Sequence, residues 1–106
     1  MEFVQIIKRA RKIKRDYSTL NKSKGNRQWG VAEYTQGFVG DVGDLVKLVM
    51  MKNGFRGEKD VDEKLAHELA DCLWSVIVIA DELGIDLEKE FVKTMDGLEE
   101  RLKNSY

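Results

Sequence analysis

Proline is absent from this sequence of 106 residues, and cysteine and histidine occur only once each. Proline is common in turns and disrupts helix interiors, so its absence favours long helices over a turn-rich all-β fold. The single Cys72 cannot form an intrachain disulfide, which fits a reducing compartment. No apolar run approaches the roughly 20 residues that a membrane span needs, and no secretory signal pattern is present. We therefore expect a cytoplasmic protein that does not interact with membranes.

Apolar residues recur every three or four positions in four segments, as they do on one face of an α-helix. The predicted first helix ends before Asn21, and the second runs from about Trp29 to Met51, where Asn53 and Gly54 stop it. After a loop over 55–59 come a third helix, from near Asp60 to Leu83 with Gly84 as its terminator, and a fourth helix capped by Asp86. Short connections favour antiparallel neighbours. The sequence therefore predicts one all-α domain over residues 1–106, similar to a four-helix bundle.

The predicted third helix contains a run, residues 69–80, that is apolar around its whole circumference except at Asp71 and Ser75. A helix that is apolar all round is normally buried all round. The other helices of one small subunit rarely enclose such a helix completely. We therefore expect one face of it to pack against a second copy of the chain, in a homodimer or in a homotetramer built as a dimer of dimers.

Asp71 is the informative residue of this run, because an ionised carboxylate is costly to bury unless a cation meets it. Glu68 lies three residues earlier, so the two side chains occupy one side of the helix. On the second helix, Asp41 and Asp44 repeat the same spacing. Two helices that each present a carboxylate pair can place four acidic ligands around one point.

Carboxylate ligands of this kind suit magnesium or manganese. A zinc site is not expected, because His67 is the only histidine of the chain. The spacing alone leaves other interpretations open. Asp41 and Asp44 are compatible with ordinary surface acids, and Glu68 is placed to pair with Lys64, four residues earlier on the same helix.

Positive charge is concentrated at the start of the chain. Residues 1–28 carry a net charge of +7 and the remainder a net charge of −8. Such asymmetry suggests a polyanionic ligand, although a solvated basic helix face explains it equally simply. Binding to nucleic acid is not expected, because no recognised DNA- or RNA-binding motif is present and the acidic remainder would repel a polyanion.

Two segments of the chain match a known pattern. Residues 40–45, Gly-Asp-Val-Gly-Asp-Leu, and residues 67–74, His-Glu-Leu-Ala-Asp-Cys-Leu-Trp, resemble the metal-binding motifs of the MazG-like all-α nucleoside triphosphate pyrophosphatase superfamily. The family pattern is Glu-Glu-x-x-Glu followed on the next helix by Glu-x-x-Asp. The resemblance extends over about residues 27–101 and includes residues 84–87. It is greatest to the branch similar to dCTP pyrophosphatase, which also has glycine at the position of Gly40.

The sequence departs from the family at two places. Aspartates replace glutamates at Asp41 and Asp44, which shortens each side chain by one methylene. Near the C-terminus, many members have Lys-Met-x-x-Asn in contact with substrate, whereas this chain has Thr-Met-Asp-Gly-Leu over residues 94–98. Lys93 and Arg101 are the nearest candidates to take over that contact.

The resemblance implies hydrolysis of a nucleoside triphosphate to the monophosphate and pyrophosphate, with Mg²⁺ or Mn²⁺ as cofactor. It assigns four metal ligands, of which Asp41 is also a candidate to orient or deprotonate the attacking water: Asp41, Asp44, Glu68 and Asp71. Trp29 is expected either to stack on the base or to anchor the start of the second helix. The departures motivate an alternative from another class, a catalytically weak helical module that binds nucleotide or metal.

Overall fold

The computed structural model describes residues 1–53 and 60–105, and within those ranges the chain is all-α, without a β-strand. Its four helices are α1 (Phe3–Ser23), α2 (Val31–Lys52), α3 (Val61–Glu82) and α4 (Leu87–Lys103). The predicted fold class and number of helices are confirmed. The predicted stop at Gly54 and the predicted loop over 55–59 lie outside the described residues.

The helix ends follow from local chemistry. α1 continues three residues beyond its predicted end, because nothing in the polar segment 21–23 disfavours a helix and the left-handed Gly25, with φ of +70°, follows it. Gly84, with φ of +68°, follows α3 as predicted. Asp86 caps α4, since its Oδ1 accepts a hydrogen bond from the backbone N–H of Lys89 at 3.2 Å. Asp60 occupies the N-cap of α3, but its side chain makes no capping hydrogen bond.

α2 and α3 pack against each other as antiparallel helices. Near one end, Lys52 Nζ lies 2.6 Å from Asp62 Oδ1, and further along the pair Ser75 Oγ donates a hydrogen bond to Asp41 Oδ2 at 3.3 Å. Residues late in α2 therefore contact residues early in α3, and residues in the middle of α2 contact residues late in α3. The two helices are antiparallel. This register decides which side chains of the two helices face each other.

α1 covers the second half of α3. Trp74 Nε1 donates a hydrogen bond to the carbonyl oxygen of Ala10 at 3.3 Å, and Lys14 Nζ forms an ion pair with Asp81 Oδ2 at 2.6 Å. The hydrogen bond from Lys14, followed by the charges of Lys14 and Arg11, lowers the pKa of Asp81 against the opposing effect of desolvation. Most of the buried side chains belong to α3. The buried residues are Ala10, Tyr34, Val61, Ser75, Ile77, Val78 and Ala80.

α4 does not pack closely against α1, α2 or α3, and none of its residues is buried. Its apolar stripe is open to solvent, with Phe91 57% exposed and Leu102 56% exposed. On α3, Leu69 and Leu73 are 54% and 46% exposed, although the sequence around them is apolar on every side. One chain therefore leaves apolar faces of α3 and α4 uncovered. Among the helices described, none is long and apolar enough to cross a membrane.

Candidate metal centre

Three carboxylates meet between α2 and α3. Asp41, Asp44 and Glu68 each offer an oxygen atom, and the three atoms lie within 4.8 Å of one another. Asp41 and Asp44 share one side of α2 because residues three apart are neighbours on a helix surface. The antiparallel register then places Glu68 opposite them. Three of the four metal ligands expected from the sequence are thus within reach of one cation.

Asp71, the fourth predicted ligand, lies at the edge of this group. It falls outside the set of three atoms, and its Oδ2 lies 3.2 Å from Nε2 of His67, one turn earlier on α3. Asp71 is nonetheless close enough for its charge to raise the pKa of Glu68. The contact with His67 was not anticipated from the sequence, although the i, i+4 spacing of the two residues is the signal that permits it.

Glu68 is close enough to the other three carboxylates for all of their charges to act on it. Desolvation raises the pKa of its carboxyl group, and the nearby charges of Asp41, Asp71 and Asp44 raise it further. Its Oε1 is buried, and no hydrogen-bond donor among the described residues reaches that atom. A hydrogen bond between Glu68 and Asp41 requires a proton on one of the two carboxyl groups. Without a proton or a cation, the cluster holds repelling charges and an unsatisfied oxygen.

Ser75 supports the site from the middle of α3. Its side chain is buried, and its hydroxyl donates to Asp41 Oδ2. This hydrogen bond fixes one oxygen of Asp41. Ser75 was not named as a site residue from the sequence, but it was one of only two polar residues in the apolar run. A polar residue in such a run usually has a buried partner, and here that partner is a carboxylate of the cluster.

The donor set fits a hard divalent cation. The three groups are carboxylates, which favour Mg²⁺ or Mn²⁺ over softer metals. A cation would provide the orphaned Oε1 of Glu68 with a partner and relieve the repulsion that raises the pKa of that residue. The thiol of Cys72 is less suited to act as a ligand, because desolvation and the charges of Asp41 and Glu68 raise its pKa.

An aromatic cavity of about 360 Å³ lies near the start of α2. Trp29, which precedes the helix, is 50% exposed, and its ring centroid is 5.5 Å from that of Tyr34 in an edge-to-face arrangement. Tyr34 in turn makes an edge-to-face contact with Trp74, at 6.2 Å. Trp29, for which the sequence left base stacking and anchoring of α2 both open, thus packs against α2 and also lines a cavity that is large enough for a ring. The lining residues are Tyr17, Asn21, Trp29, Tyr34 and Trp74.

Lys93 and Arg101, the predicted substrate-binding residues of the C-terminal segment, are both exposed on α4. Because α4 does not pack closely against α2 or α3, one chain does not bring either residue to the carboxylates. Gly40 and Gly43 are exposed and leave the face of α2 beside the site open, since among the described residues only their own helix backbone and chain neighbours come close to the space that a side chain would occupy there.

Four helices with a carboxylate cluster between two of them define an all-α protein with a candidate site for a divalent cation. The family model of the MazG nucleotide pyrophosphohydrolase domain matches residues 31–106. Because this match covers most of the chain, the chain belongs to the MazG family, and the resemblance seen in its sequence is confirmed. No curated protein and no solved structure matches it. Family membership indicates a hydrolase of the nucleotide pyrophosphohydrolase type.

Proposed function

We propose that this protein hydrolyses a nucleoside triphosphate to the monophosphate and pyrophosphate, with Mg²⁺ or Mn²⁺ bound by its carboxylate cluster. The observation that carries the proposal is the convergence of Asp41, Asp44 and Glu68, together with the orphaned buried oxygen of Glu68, in a chain of the MazG family. Asp71 serves as the fourth ligand. Its Oδ2 contacts His67, which leaves its Oδ1 for the cation.

The reaction forms a bond between a water oxygen and the α-phosphorus and breaks the bond from that phosphorus to the oxygen bridging to the β-phosphate. Pyrophosphate leaves, and the water loses a proton to the surroundings. When bound, a divalent cation neutralises phosphate oxygens and lowers the pKa of a coordinated water. Asp41 is the candidate to orient or deprotonate that water, because Ser75 fixes one of its oxygens and leaves the other for this task.

In this proposal, the nucleoside binds in the aromatic cavity near the start of α2. Tyr34 precedes Asp41 by seven residues, so the two lie on the same side of α2 about 10 Å apart along its axis. This spacing lets a base reach Trp29 while the phosphates reach the carboxylates. Stacking on an exposed tryptophan suits any base, since every base has an apolar face.

A second copy of the chain completes the protein in this proposal. The exposed apolar faces of α3 and α4 are those that a homodimer, or a dimer of dimers, buries. Lys93 and Arg101 then contribute to phosphate binding from the α4 of a partner subunit, because α4 is separated from the site within one chain. A cytoplasmic location remains a prediction from the sequence.

The direct experiment measures pyrophosphate release from a panel of ribo- and deoxynucleoside triphosphates with Mg²⁺, with Mn²⁺ and with a chelator. The variants are Glu68→Gln and Asp71→Asn, and the control is Asp16→Asn, which removes an exposed carboxylate paired with Lys12 on α1. We expect release that requires metal, persists in the control and is lost in both site variants. Nucleotide binding without release from any substrate would instead support the binding module.

A further inference from the structure

Two residues of the carboxylate cluster, Asp44 and Glu68, also line a second cavity. This cavity of about 300 Å³ lies between α2 and α3. Asp44 and Glu68 form its acidic border, and the apolar side chains of Leu48 and Met51 lie on the α2 side. Its remaining lining residues can all carry positive charge. They are Lys47, Lys64 and His67.

Helix geometry explains why these three residues lie together. Lys47 follows Asp44 by three positions on α2, which places it about one turn, or 5 Å, further along the helix. On α3, His67 and Lys64 precede Glu68 by one and four positions. Because α2 and α3 are antiparallel, both displacements lead toward the same end of the helix pair. We call the cavity bordered by Lys47, Lys64 and His67 the basic cavity.

The basic cavity and the aromatic cavity lie on opposite sides of the carboxylates along α2. In chain order the helix presents Tyr34 of the aromatic cavity, then Asp41 and Asp44, then Lys47. A nucleoside triphosphate has the same order of chemistry: an apolar base, the α-phosphate where the bond breaks, and the more highly charged β- and γ-phosphates. Cationic donors beyond the acidic residues are therefore at the end where the leaving group must lie.

We propose that the basic cavity binds the β- and γ-phosphates, and hence the pyrophosphate product, through Lys47 and Lys64. This assignment rests on the proposed function and adds the direction in which the substrate lies. Lysine ammonium groups bind phosphate as point charges. His67 contacts Asp71 through Nε2, so that carboxylate holds the imidazole ring at the wall of the cavity. The consequence is selection of triphosphates over diphosphates by charge at the far end of the site.

Neutralisation of the acidic cluster is the competing role for Lys47, since Asp44 lies three residues before it on the same helix. The two roles predict different effects on pyrophosphate binding. A lysine that only neutralises Asp44 supports the local structure. Its loss lowers the free energy of unfolding by the same amount with and without phosphate. A lysine that binds phosphate repels the cation, so its loss leaves Mg²⁺ affinity unchanged or higher while pyrophosphate affinity falls.

The first test is calorimetric titration of wild type, Lys47→Gln and Lys64→Gln with inorganic pyrophosphate in the presence of Mg²⁺. We expect each variant to bind pyrophosphate about fivefold more weakly, because the loss of one exposed ion pair costs up to about 1 kcal/mol. Lys8→Gln, which removes an exposed lysine of α1, should bind as wild type does. Failure of the wild type to bind pyrophosphate, or equal affinity in all four proteins, would overturn the proposal. So would weaker Mg²⁺ binding by Lys47→Gln, measured without pyrophosphate.

The second test compares kcat/KM for the triphosphate and the diphosphate of one nucleoside. Lys47→Gln should lower kcat/KM for the triphosphate about fivefold and affect the diphosphate less, because the diphosphate has no γ-phosphate to lose a contact. Equal losses for both substrates would overturn the assignment while leaving the hydrolase proposal standing. Conversely, the protein could bind pyrophosphate in a way that depends on Lys47 and yet hydrolyse no nucleotide. That result would support phosphate binding in the basic cavity and overturn the hydrolase proposal.

Discussion

Replacing Glu68 with glutamine should stabilise the metal-free protein while abolishing its response to magnesium. The substitution keeps the size of the side chain and removes one negative charge from a group of three carboxylates. It also provides an amide donor that can reach Asp41 or Asp44, the neighbours that now repel Glu68. Glu68→Gln therefore relieves a conflict in the folded protein that only a proton or a cation relieves in the wild type.

The expected magnitude follows from the spacing of the cluster. Two unit charges at 4.8 Å, the outer limit of this group, repel by about 1 kcal/mol in a water-like dielectric. Glu68 has two such neighbours in Asp41 and Asp44, and screening by salt reduces their combined effect to about 1 kcal/mol. For a domain of this size, that gain in the free energy of unfolding corresponds to about 4 to 8 °C in Tm. Wild type should instead be stabilised by the metal, since Mg²⁺ at 100 times its Kd adds about 2.7 kcal/mol to the free energy of unfolding. Glu68→Gln should show no such gain.

The assay is thermal unfolding followed by circular dichroism, at about 0.1 M ionic strength, in chelator and in excess Mg²⁺. Glu63→Gln is the matched control, because it makes the same chemical change at an exposed position in the first turn of the same helix. The control should be less stable than wild type in chelator by at most about 1 kcal/mol, because it loses a negative charge near the N-terminus of α3, and it should keep the full rise in Tm with Mg²⁺. A Glu68→Gln protein that is less stable than wild type in chelator, or that keeps the magnesium response, would refute the reasoning.

The pH dependence of the metal-free protein has the same origin. The pKa of Glu68 is raised in the folded state, so the ionised group opposes folding above that pKa. As the pH falls through the raised pKa and below the ordinary value of 4.5, this opposition disappears. The free energy of unfolding of the wild type therefore rises relative to that of Glu68→Gln. The difference in Tm between the two proteins should therefore shrink toward acidic pH. A difference that stays constant over this range would show that charge is not its cause.

Three further predictions concern the packing of the helices and the dimer. Asp81→Asn should cost about 1 to 2 kcal/mol at neutral pH, because Asp81 pairs with a largely buried Lys14. Urea unfolding should also show that this cost persists above the ordinary pKa of 3.8 and disappears as the pH falls through the lowered pKa of Asp81. Leu73→Glu should convert the protein to a monomer in light scattering at micromolar concentration, whereas an unchanged mass would place the interface elsewhere. Arg101→Gln should raise KM for the triphosphate about fivefold in steady-state kinetics, with kcat less affected, if α4 of a partner subunit reaches the site.

Local patterns in the sequence were sufficient to predict the helices. The periodic apolar residues marked all four, and Asp86 and Gly84 marked two of their boundaries through chemistry that acts within one turn. The end of α1 was predicted too early because the polar segment 21–23 was interpreted as a loop. The stop is made by the left-handed Gly25, and polar residues that lack a conformational conflict simply continue the helix.

The candidate site was predictable in its acidic residues and not in their partners. Spacing along one helix indicated Asp41 with Asp44, and it placed Glu68 near Asp71. Whether the two pairs meet depends on the register of α2 against α3, which no local pattern specifies. The register brings Glu68 to the first pair and leaves Asp71 at the edge against His67.

Contacts between distant parts of the sequence could not be predicted from local patterns for the same reason. The hydrogen bond from Ser75 to Asp41 and the ion pair between Lys14 and Asp81 join residues 34 and 67 positions apart. The basic cavity likewise forms only when two helices are aligned. The second subunit that was inferred from the apolar run of α3 stays a prediction, and within one chain Leu69 and Leu73 are about half exposed.

The central claim is metal-dependent attack of water on the α-phosphorus at the carboxylate cluster. The most direct measurement is hydrolysis of a nucleoside triphosphate in water labelled with heavy oxygen, with Mg²⁺, followed by mass spectrometry of the products. We predict one labelled oxygen in the monophosphate, unlabelled pyrophosphate, and neither product from Glu68→Gln. Release of inorganic phosphate, label in the pyrophosphate, or full turnover by Glu68→Gln would contradict the account.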